Sequence, residues 1–138
     1  FEWLILKIRS NTNVLPVEIK SLPRELVNNN EKKIYAIVAD QSPTLEQSNV
    51  RINFLNRDTL VYTGVEKISI KYNMPVFYLN IKLTSKGYYE STFEEINSKN
   101  INGKKLTRTK EFFSKLENQI KSEPRLWLWS HKRWKHTN

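Results

Sequence analysis

A continuous apolar run from Ile34 to Ala39 constrains the fold of this chain more than any other feature. A segment that is apolar on both faces is typical of a strand buried in a parallel sheet, because a half-exposed strand alternates apolar and polar residues. The run ends abruptly at Asp40-Gln41-Ser42-Pro43, which favours a turn. We therefore predict a buried strand over 34–39, followed at its carboxyl end by polar side chains.

Periodicity and capping signals predict that strands and helices alternate along the rest of the chain. We predict helices over 1–10, over 21–28 with Ser21 as N-cap, from Asp58 or Thr59 to about 73, from Thr107 or Thr109 onward, and over 124–138. We predict strands over 14–19, 34–39, 50–55, 74–83 and 88–95. This alternation predicts one α/β domain over 1–138, in which helices cover a mixed β-sheet.

Two of these elements carry further detail. The segments 74–83 and 88–95 are expected to form a hairpin about the turn 84–87, with Glu94 and Glu95 beyond the sheet, and 97–105 is expected to be a polar loop. The helix that begins at Thr107 or Thr109 has an apolar face for the core, formed by Phe112, Phe113, Leu116 and Ile120.

The charge balance is strongly basic, with 23 Lys and Arg against 14 Asp and Glu, a net charge of +9. Such an excess favours an anionic partner or surface, the alternative being a basic soluble protein. The chain has no cysteine, which excludes disulfides, thiolate catalysis and a cysteine-based zinc site. No apolar run approaches the roughly 20 residues that span a bilayer, and no Gly-rich phosphate loop is present.

The segment Arg125–Asn138 interleaves three tryptophans with basic residues. Such a strip can lie against a membrane interface or a nucleic acid. Helical spacing would put Trp127, His131 and Trp134 on one face. The alternative is packing on the core, which we expect for one or two of the tryptophans. The residues we assign to a membrane interface are Trp127, Trp129, Arg133 and Trp134.

Asp40 and Gln41 are the first candidates for a binding site, because ligands collect beyond the carboxyl ends of strands in open α/β sheets. The alternative is that Asp40 caps a turn before Pro43. His131 and His136 are five residues apart and have no obvious third ligand, so we expect no metal and no cofactor. We expect the pairs Glu66-Lys67 and Glu94-Glu95 to be solvated.

Four stretches, taken in order, resemble the C-terminal portion of the lipid A biosynthesis (lauroyl/myristoyl) acyltransferase family. Residues 37–43, Ile-Val-Ala-Asp-Gln-Ser-Pro, resemble its strand ending in Asp-Gln. Residues 52–56 followed by Thr63-Gly64 resemble its Phe-Phe-Gly block, although Leu55 and Asn56 replace the second Phe and the Gly. Met74-Pro75-Val76-Phe77 resembles its Pro-Val strand, and 124–135 resembles its terminal Trp-x-Trp-x-His-x-Arg-Trp-Lys. The Asn- and Lys-rich composition resembles Bacteroidetes members.

The resemblance implies a glycerolipid-acyltransferase-like fold that is incomplete at its N-terminus. It implies transfer of a fatty acyl chain from acyl carrier protein or coenzyme A to a lipid hydroxyl, at the cytoplasmic face of the inner membrane. It also implies that Asp40, Gln41, Arg9 and Arg24 bind substrate, and that the anionic membrane surface is a partner. The family's catalytic His-x-x-x-x-Asp/Glu would lie upstream, so no catalytic residue is assigned here.

Two expectations follow from the missing motif. The isolated chain should be inactive, and strands that lack neighbours should favour self-association. The competing hypothesis is a basic nucleic-acid-binding module, motivated by the net charge of +9 and the Trp–Arg strip. Against it, the basic residues are spread over the chain, so we expect no nucleic acid among the partners.

Overall fold

The computed structural model describes residues 14–18, 21–28, 32–96 and 106–136. It has two compact units, Phe1–Tyr35 and Ala36–Asn138, and each is described by itself. The helix predicted over 1–10, with Arg9, and the loop predicted over 97–105 lie outside the described residues. The single domain over 1–138 stays a prediction.

Within the first unit, helix α1 spans Leu22–Asn28 and confirms the helix predicted after Ser21. The Ser21 carbonyl accepts hydrogen bonds from the N–H groups of Arg24 and Glu25, both at 3.1 Å. The strand predicted over 14–19 is wrong where it can be checked, because residues 14–18 have no strand geometry and all have exposed side chains. An isolated strand with no described neighbour cannot form a ladder.

The described residues of the second unit form two antiparallel hairpins and two α-helices, which confirms the α/β class. No parallel strand pair occurs among the described residues. The first hairpin is β1 (Arg51–Phe54) and β2 (Arg57–Leu60), the second is β3 (Phe77–Ser85) and β4 (Tyr88–Glu95), and the helices are α2 (Gly64–Lys71) and α3 (Thr107–Ser122).

The run 34–39 is not a strand, which corrects the first prediction. Its residues have no regular structure, and the side chains of Ile34 and Val38 are 94% and 65% exposed. Apolarity on both faces is a signal of burial, but a strand also needs neighbouring strands, and none among the described residues pairs with this segment.

The turn between β1 and β2 explains why the helix predicted from Asp58 or Thr59 to about 73 is present but begins later than expected. Leu55 and Asn56 have φ values of 51° and 58°, as in the two-residue type I′ turn that reverses a hairpin. Asp58 therefore lies in β2, opposite Asn53, and helix α2 begins only at Gly64. Asn tolerates positive φ better than most residues, which is why Asn56 can occupy the second position of this turn.

The second hairpin confirms the prediction for 74–95 in outline. Strand β3 begins later than predicted, at Phe77, and Gly87 at the turn has a φ of 83°, which favours glycine. Glu94 and Glu95 were expected beyond the sheet, but they lie within β4 and pair with Tyr78 and Phe77. The opposite strand continues far enough to give both residues a partner.

The core of the second unit lies between α3 and the two hairpins. The predicted face of α3 is confirmed, since Phe113, Leu116 and Ile120 are buried and Phe112 packs beside them. The residues that meet this face from the other elements are Phe54, Val61, Tyr78 and Ile96. Burying this apolar surface is the main stabilising contribution to the unit.

A carboxylate from α2 satisfies the N-terminus of α3. Leu106, the residue before α3, provides no side-chain cap among the described residues. Glu66 accepts hydrogen bonds from the Thr109 N–H at 3.1 Å and the Thr109 hydroxyl at 2.6 Å. The expectation that Glu66 is solvated is wrong, because it is 5% exposed. A negative group at this end also interacts favourably with the helix dipole.

The predicted C-terminal helix over 124–138 is wrong over its described residues, 124–136. A 3₁₀ turn spans Pro124–Leu126, and Trp127 then takes an extended conformation with ψ of 133°. Short turns follow, in which the N–H of His131 donates to the Leu128 carbonyl at 3.0 Å and that of Arg133 to the His131 carbonyl at 2.7 Å. No helix of the described residues is both long and apolar enough to cross a bilayer.

Replacing Glu66 by Ala should lower the free energy of unfolding by about 2–3 kcal/mol, because two hydrogen bonds to a buried charged acceptor are lost. Glu66→Gln keeps one acceptor and should lose less. Urea denaturation monitored by circular dichroism measures both, with the exposed neighbour Lys67→Ala as the control. Equal stability of Glu66→Ala and Lys67→Ala would contradict this role.

Candidate functional site

Phe54 lies at the centre of an aromatic cluster formed with Phe113, Trp127 and Trp134. Its side chain is fully buried. The ring of Phe113 meets it edge-on at 5.2 Å between centroids, Trp127 lies at 6.3 Å, and Trp134 stacks on it at 6.4 Å. These separations fall within the range favoured by aromatic pairs. The cluster thereby joins β1, α3 and the C-terminal segment.

Arg133 penetrates this cluster and is 2% exposed. Its Nη1 donates to the Leu60 carbonyl at 2.8 Å, and its guanidinium carbon lies 5.6 Å from the Phe113 ring centroid and 6.0 Å from that of Phe54. Both contacts are in cation–π range. Its Nε and Nη2 have no hydrogen-bond partner within the described part of the chain.

The charge of Arg133 is opposed by burial and supported by Asp40. Burial lowers the pKa of Arg133 to about 10, and the negative charge of Asp40 acts in the opposite direction. The guanidinium therefore remains charged at neutral pH. Asp40 is half-buried and Gln41 is exposed, so both predicted site residues reach the surface of the unit.

The loop that carries Asp40 and Gln41 is held by the C-terminal segment. The Ser42 N–H donates to Nε2 of His131 at 3.0 Å. This contact joins residues 89 positions apart in the sequence. The structure thus brings the loop that carries Asp40 and Gln41 to the turn that carries His131 and Arg133.

Tyr78 is a further polar residue near this region, and sequence reasoning missed it. Its hydroxyl donates to Oε1 of Gln119 on α3. The pKa of Tyr78 is raised to about 12, first by burial and then by the negative charges of Glu94 and Asp40. The alternation of side chains along β3 could have identified Tyr78, because residues two apart in a strand lie on the same face. Tyr78 and the polar Asn80 share a face and bind the polar side chains of Gln119 and Glu94.

The four residues assigned to a membrane interface differ in exposure. Trp129 is 58% exposed, with its Nε1 donating to the Pro124 carbonyl at 2.7 Å. Trp127 and Trp134 pack against the core cluster, which confirms the alternative for two tryptophans. Nε1 of Trp134 donates to the Thr59 hydroxyl at 2.8 Å. Arg133 is buried, and the interface role of these residues stays a prediction.

The remaining substrate-binding candidates lie in the first unit. Arg24 is exposed on α1, and Arg9 lies outside the described residues. Their phosphate-binding role therefore stays a prediction.

An open polar groove of about 490 Å³ lies between β1 and α3. Its walls carry Arg51 and Lys110, and Phe113 forms part of its floor. Arg51 is paired with Asp58 at 2.5 Å. The sequence offered no signal for this groove, since its residues come from two elements far apart in the chain. Among the described residues, no cluster of three or more His, Asp or Glu side chains could hold a metal ion.

Comparison with protein families places the chain among acyltransferases. The family of bacterial lipid A biosynthesis acyltransferases matches residues 1–136. The chain therefore belongs to that family, which confirms the resemblance and implies an acyl donor and a lipid acceptor in general. A search of the curated proteins gave no match, and a search of the solved structures gave none either. A Bacteroidetes origin stays a prediction.

The raised pKa of Tyr78 makes stability sensitive to alkali. The unfolded phenol ionises near 10.0, whereas the folded one resists ionisation until about 12. The unfolded state therefore loses its proton first, and stability should fall as pH rises from about 10 towards 12.

Urea denaturation between pH 9 and 12 tests this prediction for Tyr78→Phe. The variant should remove part of the alkaline loss, while Tyr88→Phe, an exposed control, should leave it unchanged. Equal pH slopes for both variants would contradict the assignment.

Proposed function

We propose that this chain forms the C-terminal part of an enzyme that moves a fatty acyl chain from acyl carrier protein or coenzyme A to a hydroxyl of a lipid A precursor or another membrane lipid. The observation that carries the proposal is the family match over residues 1–136. The loop of Asp40 and Gln41, held by the C-terminal segment, is its proposed contribution to the site.

The reaction needs a base, an acceptor hydroxyl and a thioester. The hydroxyl oxygen attacks the thioester carbonyl carbon, and the base removes the hydroxyl proton. A carbon–oxygen ester bond forms as the carbon–sulfur bond breaks. The thiolate takes a proton and leaves as the thiol, so no oxidant or reductant is required.

We propose that this base is not among the 138 residues of the chain. A general base is normally oriented by a carboxylate. Neither His131 nor His136 hydrogen-bonds a carboxylate within the described residues, and Nε2 of His131 already accepts the Ser42 N–H. A His-x-x-x-x-Asp/Glu element elsewhere in the complete protein would supply the base, so the chain alone is inactive.

Asp40 and Gln41 are proposed to face the substrate. The half-buried carboxylate and the exposed amide are adjacent, and together they can accept and donate hydrogen bonds to a sugar hydroxyl or amide. Arg9 and Arg24 are proposed to meet substrate phosphate.

We propose that the enzyme acts at the cytoplasmic face of the inner membrane. A net charge of +9 suits an anionic lipid surface. The exposed Trp129 suits the interface between headgroups and acyl chains. The nucleic-acid alternative finds no support in the family match over residues 1–136. Two of the three tryptophans that motivated it, Trp127 and Trp134, pack against the core and are not available to stack on bases.

Acyl transfer tests the proposal directly. The 138-residue chain and the protein from its complete reading frame are incubated with an acyl donor and a lipid A precursor, and products are measured by mass spectrometry. We expect transfer only by the complete protein. In it, Asp40→Asn should lower the rate by about 10- to 100-fold, as expected for a lost charged hydrogen bond.

The exposed carboxylate variant Glu46→Gln is the matched control and should keep the rate. The absence of transfer by the complete protein to any lipid A precursor or phospholipid would refute the proposed function. An unchanged rate in Asp40→Asn would refute the role of Asp40 alone.

Membrane binding of the chain is tested with phosphatidylcholine vesicles that contain phosphatidylglycerol. The bound fraction should fall with salt, and Trp129→Ala should weaken binding by about 5- to 10-fold, because one interfacial aromatic side chain is lost. Ser130→Ala, an exposed neighbour, is the control. Equal binding by both variants would exclude Trp129 from the interface.

A further inference from the structure

We propose that His131 is a positioning residue, which fixes the Asp40-Gln41 loop in the geometry that acyl transfer requires. The inference rests on the proposed function for the role of Asp40, but the contact itself can be tested without it. This positioning role of the terminal His-x-Arg-Trp segment is distinct from contact with lipid.

The loop is anchored at both ends and open in the middle. Ala39 and Pro43 are buried, while Gln41 between them is exposed. The hydrogen bond from the Ser42 N–H to Nε2 of His131, at 3.0 Å, fixes the backbone immediately after Gln41. The His131 side chain therefore sets where the neighbouring carboxylate and amide point.

The turn that carries His131 is itself tied to the core. The Arg133 N–H donates to the His131 carbonyl at 2.7 Å, and the Arg133 guanidinium donates to the Leu60 carbonyl at 2.8 Å. The next residue, Trp134, is fixed by its bond to Thr59. Two adjacent side chains thus hold the turn on β2, and the turn holds the loop.

The charges reinforce this arrangement. Arg133 is buried, and the charge of Asp40 supports its ionised state. Attraction between the two groups acts through a partly apolar environment, which screens it less than water would. The attraction favours a position of Asp40 near the turn, while the hydrogen bond between Ser42 and His131 fixes the backbone of the loop.

The hydrogen bond to Ser42 requires one particular tautomer of the His131 ring. Nε2 must present a lone pair to the Ser42 N–H, so the ring proton of neutral His131 lies on Nδ1. Gln can present an oxygen acceptor from a side chain of similar length, whereas Ala cannot. Rescue by Gln therefore separates positioning of the loop from simple filling of space.

The first experiment is nuclear magnetic resonance on the 138-residue chain. Wild-type protein should show a nitrogen–nitrogen coupling across the hydrogen bond between Ser42 and His131, with the ring proton on Nδ1. His131→Ala should speed hydrogen exchange of the Ser42 amide by about 10-fold or more, and His131→Gln should restore most of the protection.

His136→Ala is the matched control, because Nε2 of His136 is buried without a hydrogen-bond partner among the described residues. It should leave exchange at Ser42 unchanged. Absence of the coupling in the wild-type protein, or equal exchange in His131→Ala and His136→Ala, would overturn the proposal. The coupling needs no variant, so it decides the matter even if His131→Ala fails to fold.

The second experiment measures acyl transfer by the complete protein. His131→Ala should lower kcat by about 10-fold with little change in KM for the acyl donor, and His131→Gln should recover most of the rate. Loss of the rate without rescue by Gln would overturn the positioning role. A wild-type protein that transfers no acyl chain would refute the proposed function but leave the exchange result standing.

Discussion

The packing of Phe54 is the interaction on which the rest of the second unit depends. Its ring is fully buried and is contacted by α3 through Phe113 and by the C-terminal segment through Trp127 and Trp134. The type I′ turn follows directly at Leu55, whose N–H donates to a Glu117 carboxylate oxygen at 3.1 Å on the same helix. The side chain and the next backbone group thus orient the first hairpin against α3. The hairpin in turn provides β2, to which the C-terminal turn is tied.

The elements that the sequence predicts well are those in which a local pattern agrees with the packing. The apolar face of α3 repeats at helical spacing, and the second hairpin has Gly87 where positive φ is needed. The reverse occurs at 55–60, where Asp58 resembles a helix cap but lies in a strand. The strand forms because Leu55 adopts a positive φ and reverses the chain. Leucine rarely adopts this conformation, so the sequence does not predict the turn.

The candidate site is less predictable than the fold, because its contacts join distant segments. Asp40 and Gln41 were identifiable by their position after an apolar run, although the run is not a strand. The hydrogen bond between Ser42 and His131 joins distant segments of the unit, and no periodic pattern in the sequence predicts it. The role of Glu66 is equally hard to predict from sequence. Its carboxylate binds Thr109, 43 positions further along the chain, and nothing in the local sequence distinguishes it from a solvated glutamate.

The C-terminal segment has two sides, and this division removes a conflict in the initial hypothesis. One strip of residues cannot both lie on a bilayer and pack on the core. In the structure Arg133 and Trp134 turn towards the core, whereas Trp129, Lys132 and Lys135 are exposed. The inward side holds the turn of His131, and the outward side carries the aromatic and basic residues that suit an anionic lipid surface. Because both sides belong to one short segment anchored on β2, the residues proposed to meet lipid lie only a few positions from His131, which holds the loop of Asp40.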